Sequence, residues 1–232
     1  MSQAAASESG QKTWLVGRLA AERARREAVR KYTLGEALRN PKIWMMTIAY
    51  FSVEIVPFGL VFFMLLIVKG LGVSTTQVGI VSAVSYLFTF VAMLFWGWHS
   101  DRTGERTWHV VGACVVCAGG LAACVVIGVS HPIVTMVALT FAAIGLECAL
   151  PLFWSLPSAI LTGAAAAGGI ALINSAGGLG GWFGPTLFGL VKDATGSDNI
   201  GLLSLAAGPV VCAILLVLAG HDRRLERIPP RS

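Results

Sequence analysis

The chain has 232 residues, of which 56% are hydrophobic and 12% are charged, and its formal net charge is +5. A soluble domain carries about 45–50% apolar residues and about 25% charged ones. This composition excludes a soluble enzyme, a disulfide-stapled domain and a disordered chain, and it leaves the lipid bilayer as the solvent.

The first 42 residues differ from the rest of the chain. They hold nine of the 17 basic residues, which are Lys12, Arg18, Arg23, Arg25, Arg26, Arg30, Lys31, Arg39 and Lys42. The first long apolar run begins only at Ile43, too late for a signal peptide. Residues 14–32 have the composition of a helix, either solvated in the cytoplasm, which we favour, or lying on the membrane surface. We therefore predict a basic cytoplasmic segment over residues 1–42.

Six apolar stretches follow, each near the length of about 20 residues that crosses ~30 Å of hydrocarbon as a helix. Backbone groups in lipid must be satisfied within the segment, so helices are expected rather than strands. We predict an all-α integral membrane protein with a six-helix bundle over residues 43–219 and spans at 43–68, 77–98, 108–129, 133–156, 164–191 and 200–219.

The lysines and arginines orient these spans, because basic residues concentrate on the cytoplasmic side. If residues 1–42 are cytoplasmic, so are the loops at 99–107 and 157–163 and the basic tail at 220–232. That arrangement places 15 of the 17 basic residues inside and leaves Lys69 and Lys192 outside. We predict a multi-pass protein of the inner membrane with both termini in the cytoplasm.

The cysteines and histidines do not form a recognisable catalytic or metal site. All five cysteines fall within spans, and the Cys114–Cys117 CxxC motif lacks a second pair of zinc ligands. We expect the cysteines to pack as small apolar residues. No histidine is placed at mid-membrane depth, and no HExxH or GxSG motif occurs. The sequence argues against an enzyme, and we expect no cofactor and no nucleic-acid partner.

Glu54 and Glu147 are the only acidic residues well inside the spans. A carboxylate in hydrocarbon is costly, so it normally faces a cavity or a partner and marks a functional site. Each lies on a semi-polar helical face near a proline, Pro57 or Pro151, that frees a backbone carbonyl. Both are candidates for reversible protonation; the alternative is a protonated carboxyl group bonded to backbone carbonyls, with no functional role.

The fifth span is rich in glycine, with GxxxG spacings at 177/181 and 180/184 that let helices approach closely. Asn174 lies on the same helical face as Gly177, Gly178 and Gly181, so we expect it to face protein or a cavity. Its amide either bonds across helices, the interpretation slightly favoured by these residues alone, or binds a polar ligand.

The segment at 97–106 has the spacing Gly-x-x-x-Asp-Arg-x-Gly-x-Arg, formed by Gly97, Asp101, Arg102, Gly104 and Arg106. It is a short turn of mixed charge between two spans. An aspartate at such a place can bond the N-terminus of a neighbouring helix, where free N–H groups favour an anion. The alternative is an ordinary basic loop on the cytoplasmic side, but such a loop does not require this specific spacing of residues.

This spacing resembles the signature between the second and third helices of each half of major facilitator superfamily transporters. The stretches at 40–44, 153–157, 163–181, 184–185 and 192–197 resemble the anion:cation symporter branch of that family, so the similarity extends over residues 33–219. The resemblance implies the C-terminal six-helix half of a carrier, built as two inverted three-helix repeats. It departs from the branch at Glu54 and Glu147, where neutral residues are usual.

The resemblance also implies a function, which is proton-driven uptake of organic anions such as tartrate, sugar acids or phthalate-like compounds by alternating access of two bundles. By position, Trp154, Ser155 and Asn174 contact the substrate, as does Phe58, near which the family has a tyrosine. The 97–106 segment stabilises one conformer, through Asp101 and Arg102. The family's main coupling acids and its anion-binding arginine belong to the other half.

Several explanations of a six-helix chain stay open. One copy alone does not enclose a central cavity, so we expect a second six-helix half or a homodimer partner. We favour a truncated or split gene over a self-associating half or a diverged subunit. The alternative class of function is a non-transporting membrane scaffold or regulatory subunit.

Overall fold

The computed structural model describes residues 12–18, 34–61, 64, 75–128, 130–161 and 163–220. These residues are helical apart from turns, and no strand occurs among them. In chain order the helices are α1 (Leu34–Arg39), α2 (Pro41–Glu54), α3 (Thr75–Thr103), α4 (Thr107–Ile127), α5 (Pro132–Phe153), α6 (Ser155–Ile160), α7 (Gly163–Thr195) and α8 (Asp198–Ala219). A short helical segment at 12–18 lies in the basic N-terminal region, and the remainder of the predicted helix at 14–32 lies outside the described residues.

Five helical segments of the described chain are long and apolar enough to cross a membrane. They are Pro41–Val61, Gly79–Thr103, Thr107–Ile127, Pro132–Ile160 and Asp198–Ala219. They coincide with five of the six predicted spans. The remaining predicted span is α7, whose 33 residues reach about 50 Å at 1.5 Å per residue. Its glycines lower its mean hydropathy, because glycine contributes no apolar side chain. The predicted all-α membrane fold is confirmed.

The helix ends differ from the predicted ones in two places. Helix α3 continues to Thr103, so residues 97–103, which we predicted to be a loop, form its last two turns. Charged and polar residues do not stop a helix, and the turn begins only at Gly104, whose φ of +66° few other residues adopt. In the same way, α6 occupies part of the loop predicted at 157–163.

The helix contacts follow an approximate two-fold pattern. Helix α4 packs on α5 and α8, α2 packs on α7 and α8, and α3 packs on α5. The first repeat is α2, α3 and α4, and the second is α5, α7 and α8. The first helix of each repeat packs on the second and third helices of the other repeat: α2 on α7 and α8, and α5 on α3 and α4. This is the pattern expected of two three-helix repeats, each of which begins with a proline-containing span.

Helices α4 and α5 approach each other through a reciprocal pair of glycines. A Cβ atom added at Gly120 of α4 would lie 2.6 Å from the backbone nitrogen of Ala142. One added at Gly145 of α5 would lie 2.5 Å from the carbonyl oxygen of Ala113. The two backbones are therefore in contact, which is how helices associate where lipid provides no hydrophobic drive.

The cysteines lie inside this packing. All five are free and buried: Cys114, Cys117, Cys124, Cys148 and Cys212. They belong to the main apolar core, as expected for small apolar side chains. In the described part of the chain, no group of three or more His, Cys, Asp or Glu side chains is placed to hold a metal ion.

Candidate functional site

Three helices meet at a cluster of aromatic and acidic side chains, which we call the central cluster: Tyr50 and Glu54 of α2, Phe153 and Trp154 at the end of α5, and Gly177 of α7. The ring of Tyr50 stacks on Phe153 with centroids 5.1 Å apart. It also meets Trp154 edge-on, at 4.8 Å and 62°. A Cβ atom at Gly177 would collide with the Tyr50 ring, so only glycine leaves room for it.

The hydroxyl of Tyr50 lies among the polar groups of the central cluster. It interacts electrostatically with the Glu54 carboxyl group and with the side chain of Trp154. Two of the predicted site residues, Glu54 and Trp154, are therefore brought together around a tyrosine that lies one helical turn before Glu54.

Glu54 itself rests against the glycine face of α7. It is half-buried. A Cβ atom at Gly180 would lie 3.2 Å from the Cβ of Glu54, and one at Gly177 would lie 3.3 Å from its Cγ. The absence of side chains on this face of α7 therefore lets the Cβ and Cγ of Glu54 lie directly against that helix.

The same glycine face continues toward the end of α7. Gly181 lies under the ring of Phe58, whose Cε2 would be 3.2 Å from an added Cβ, and Gly184 touches the carbonyl of Ile55. Both predicted GxxxG pairs thus serve helix contact. Gly178 differs, because nothing lies within 4 Å of the position of its Cβ.

Asn174 lies one turn before Gly178, on the open side of α7. Its side chain is exposed and makes no hydrogen bond with any described residue. Phe58 is exposed as well, to 61%. In this bundle the amide of Asn174 is not used to join helices, so it is free to meet a ligand or a partner at this surface.

Glu147 occupies the position in the second repeat that Glu54 has in the first, 93 residues later (147 − 54). It is half-buried, and its carboxyl group interacts electrostatically with Glu54 and with Tyr86 of α3. Thr47 and Thr140 precede the two glutamates by seven residues. Each donates its hydroxyl to the carbonyl four residues earlier, at 2.8 Å in both cases. The two glutamates are therefore equivalent by position and by local structure.

Trp154 sits where the fourth span is interrupted. Helix α5 ends at Phe153 and α6 begins at Ser155, in a stretch flanked by two prolines that cannot donate backbone hydrogen bonds. The hydroxyl of Ser155 donates to the carbonyl of Leu152 at 2.6 Å. Two of the four predicted substrate contacts lie in this stretch. The Trp154 ring belongs to the central cluster, whereas the Ser155 hydroxyl bonds a backbone carbonyl next to the interruption.

The predicted switch segment lies at the end of α3, apart from the central cluster. Asp101 pairs with Arg106 at 3.2 Å, and the guanidinium of Arg102 lies over the Trp98 ring, 5.4 Å from its centroid. The sequence suggests that Asp101 can bond the N-terminus of a neighbouring helix, but in the structure Asp101 does not bond the start of α4. That role falls to Glu105, whose carboxylate accepts a backbone N–H of the first turn at 3.3 Å.

Sequence reasoning missed a histidine pair beside this segment. Nδ1 of His99 and Nε2 of His109 are 2.7 Å apart, and they join α3 to α4. Nε1 of Trp96 donates to the carbonyl of His109 at 3.2 Å. The two histidines lie on different helices, on either side of the turn between α3 and α4, and no sequence spacing predicts a contact across such a turn. The sequence showed only that both lie near the ends of spans.

A bundle of two three-helix repeats, with a half-buried carboxyl group in the first helix of each, is typical of membrane carrier folds. The chain belongs to the Major Facilitator Superfamily, which it matches over residues 9–185. It is a multi-pass membrane protein of that family.

Curated relatives agree with this assignment. A protein of Agrobacterium vitis named "Putative tartrate transporter" is 41% identical over 210 residues, which are 90% of this chain and 46% of the relative. "Inner membrane transport protein RhmT" of Escherichia coli K12 is 35% identical over 224 residues, 94% of this chain and 50% of the relative. "Quinolone resistance transporter" of Acinetobacter baumannii is 33% identical over 202 residues, with coverages of 84% and 45%. The chain spans about half the length of these relatives.

Proposed function

We propose that this chain forms the C-terminal six-helix half of a secondary transporter that carries small organic anions, of the tartrate, sugar-acid or phthalate type, by proton-coupled alternating access. The observation that carries the proposal is the central cluster, in which a half-buried carboxyl group, a buried tyrosine and a half-buried indole meet at the junction of three helices. The printed names of the Agrobacterium vitis relatives at 41% and 40% identity, both "Putative tartrate transporter", support an organic anion as the cargo.

The charge distribution of the chain supports a second six-helix bundle as partner. Between residues 41 and 219 the basic residues are Lys42, Lys69, Arg102, Arg106 and Lys192, all near the ends of spans or in loops. This half therefore brings carboxyl groups and an amide to mid-membrane depth but no cation. An anion buried in the membrane needs a positively charged partner, so an opposing bundle of different sequence, on the same polypeptide or on another chain, supplies it.

Protonation of Glu54 provides a physical basis for coupling. An ionised carboxylate about 5 Å from an anionic substrate repels it by roughly 3 kcal/mol at an effective dielectric constant of about 20. A proton on Glu54 removes that repulsion, and loss of the proton restores it and favours release. Glu147, which interacts with Glu54, is the second candidate for carrying the coupling proton.

The orientation proposed for the transporter follows from the positive-inside distribution. Both termini and the turn after α3 lie in the cytoplasm, and the turn after α7 lies outside. The inner membrane is the proposed location. In this arrangement the Asp101–Arg106 turn stabilises one conformer of the carrier from the cytoplasmic side.

Uptake of labelled tartrate tests the proposal. The chain is produced alone, and also as a hybrid in which it replaces the matching half of the Agrobacterium vitis relative at 41% identity. Vesicles receive an inward proton gradient, and the same vesicles with the gradient collapsed are the control. Gradient-dependent accumulation of tartrate, galacturonate or phthalate by either form supports the proposal. Absence of uptake by both, with the hybrid inserted at the level of its parent, contradicts it and favours a non-transporting scaffold.

A further inference from the structure

The turn after α7 contains the same sequence spacing as the turn after α3. Residues 97–104 read Gly-x-x-x-Asp-x-Thr-Gly, and so do residues 189–196. The second copy follows the first by 92 positions (189 − 97), close to the 93 that separate Glu54 from Glu147. The spacing is therefore part of the internal repeat and not an isolated coincidence.

The two copies also share their backbone geometry. Gly104 and Gly196 have φ values of +66° and +68°, in the left-handed region that glycine adopts without strain. Each donates its N–H to the carbonyl four residues earlier, at 2.9 and 2.7 Å. The preceding residues, Thr103 and Thr195, each donate a hydroxyl to the carbonyl four residues earlier, at 3.0 and 2.7 Å. The two turns are built in the same way.

These equivalent turns lie on opposite faces of the membrane. Each ends the second helix of its three-helix repeat, α3 in one case and α7 in the other. Between the two turns the chain crosses the membrane three times, through α4, through α5 with α6, and through α7. Because three is an odd number, the turns lie on opposite sides. A contact made by one turn is therefore on the side opposite to a contact made by the other.

The aspartates of the two turns differ in their partners. Both lie in the last turn of a helix, where the helix dipole disfavours a negative charge. Asp101 is compensated by Arg106. Asp193 is exposed and pairs with no described residue, because the adjacent Lys192 is engaged by Asp198 at 2.7 Å. The carboxylate of Asp193 is left for a positively polarised group outside this bundle.

We infer that the turn at 189–196 is a second docking contact for the opposing six-helix bundle, formed on the outer face when that side closes. Asp193 meets a basic side chain or the N-terminus of a helix of that bundle. The inference rests on the proposed function, because only two bundles that rock about a centre close alternately on the two faces. Loss of the contact then favours the outward-open state.

Cysteine labelling in the hybrid transporter tests this contact, because both bundles are present there on one polypeptide. The reporter is Asn174→Cys, at an exposed position of α7, and the five native cysteines are buried. An impermeant maleimide is added to right-side-out and to inside-out vesicles, and the ratio of the two labelling rates is measured. We expect Asp193→Asn to raise the outside-to-inside ratio about tenfold, and Asp101→Asn to lower it, since hydrogen bonds to charged groups are strong.

The matched control is the double variant Lys192→Gln/Asp198→Asn, since it removes the ion pair of the same turn without freeing Lys192 for Asp193. It is expected to leave the ratio within about twofold, as is Asp193→Glu, and Asp193→Ser serves as a second neutral variant. An unchanged ratio in Asp193→Asn and Asp193→Ser, or an equal rise in the double variant, overturns the inference. Labelling needs no transport, so this result is independent of the uptake experiment.

Discussion

The ring of Tyr50 meets the indole of Trp154 edge-on, with centroids 4.8 Å apart, although 104 positions separate the two residues (154 − 50). The Tyr50 hydroxyl interacts electrostatically with both the Trp154 side chain and the Glu54 carboxyl group. A tyrosine in this place lies between the α2 carboxyl group and the interrupted end of α5. Movement of α5 relative to α2 therefore changes the surroundings of the acid that is proposed to bind the proton.

Replacing Tyr50 with phenylalanine isolates this hydroxyl, because the ring and its packing on Phe153 are kept. A hydrogen bond to a charged group contributes about 1.5–3 kcal/mol, and about 1.4 kcal/mol corresponds to one pH unit. If the Tyr50 hydroxyl donates to the Glu54 carboxylate during transport, its removal makes the ionised form less stable, and the half-maximal pH of uptake rises by about one unit. The check is a pH profile of tartrate uptake; the control is Tyr86→Phe, which lies beside Glu147.

The two glutamates are separable by amide substitution. Glu54→Gln keeps the shape of the side chain in the α7 groove but cannot exchange a proton. If Glu54 carries the coupling proton, uptake driven by a pH gradient falls about tenfold or more, whereas exchange of internal for external substrate continues. Glu147→Gln is the parallel variant. A gradient-driven rate unaltered by both substitutions would remove these residues as coupling groups.

The glycine face of α7 makes a stability prediction with an internal control. An added Cβ at Gly184 collides with the backbone carbonyl of Ile55, which a rotamer change cannot relieve, whereas Gly178 faces open space. We expect Gly184→Ala to cost about 1–3 kcal/mol, the usual range for overpacking, and Gly178→Ala to be nearly neutral. Thermal unfolding of the purified chain in detergent measures both, and equal stabilities would show that α2 and α7 are not in contact.

Asn174 is predicted to act on substrate and not on stability. Its side chain is exposed and unbonded within the described bundle, so Asn174→Ala leaves the amount of inserted protein unchanged. If the amide binds the anion, the KM for uptake rises about fivefold to tenfold, the loss of one hydrogen bond of about 1–1.5 kcal/mol. Parallel loss of inserted protein and of uptake would instead assign it to helix packing.

The spans were predictable from the sequence because a helix in lipid must be long and apolar, and five of them meet that requirement directly. The exception, α7, shows the limit of this argument. The glycines of α7 make this helix less apolar, yet they also allow Glu54 and Tyr50 of α2 to pack directly against it. Hydropathy measures the interaction with lipid and contains no information about a helix face that is covered by another helix.

The central cluster was predictable only in part. Glu54 and Trp154 were identified one by one, from the cost of a buried charge and from resemblance, respectively. Their meeting through Tyr50 depends on the packing of α2, α5 and α7, which no periodicity along one helix reports. The ends of α3 were misjudged for a related reason, because charge at residues 101–102 indicates water but not the end of a helix, and Gly104 alone stops it.

The measurement that tests the account most directly is the topology of the chain in intact cells. Single cysteines at Thr103, Ser130 and Ser197, and cysteine tags at each terminus, are probed with an impermeant maleimide; the native cysteines are buried. We expect Ser130→Cys and Ser197→Cys to be labelled from outside, and Thr103→Cys and both termini to stay unlabelled until the cells are opened. Labelling of either terminus in intact cells, or protection of Ser197→Cys, would contradict the six-crossing half-carrier and the assignments that rest on it.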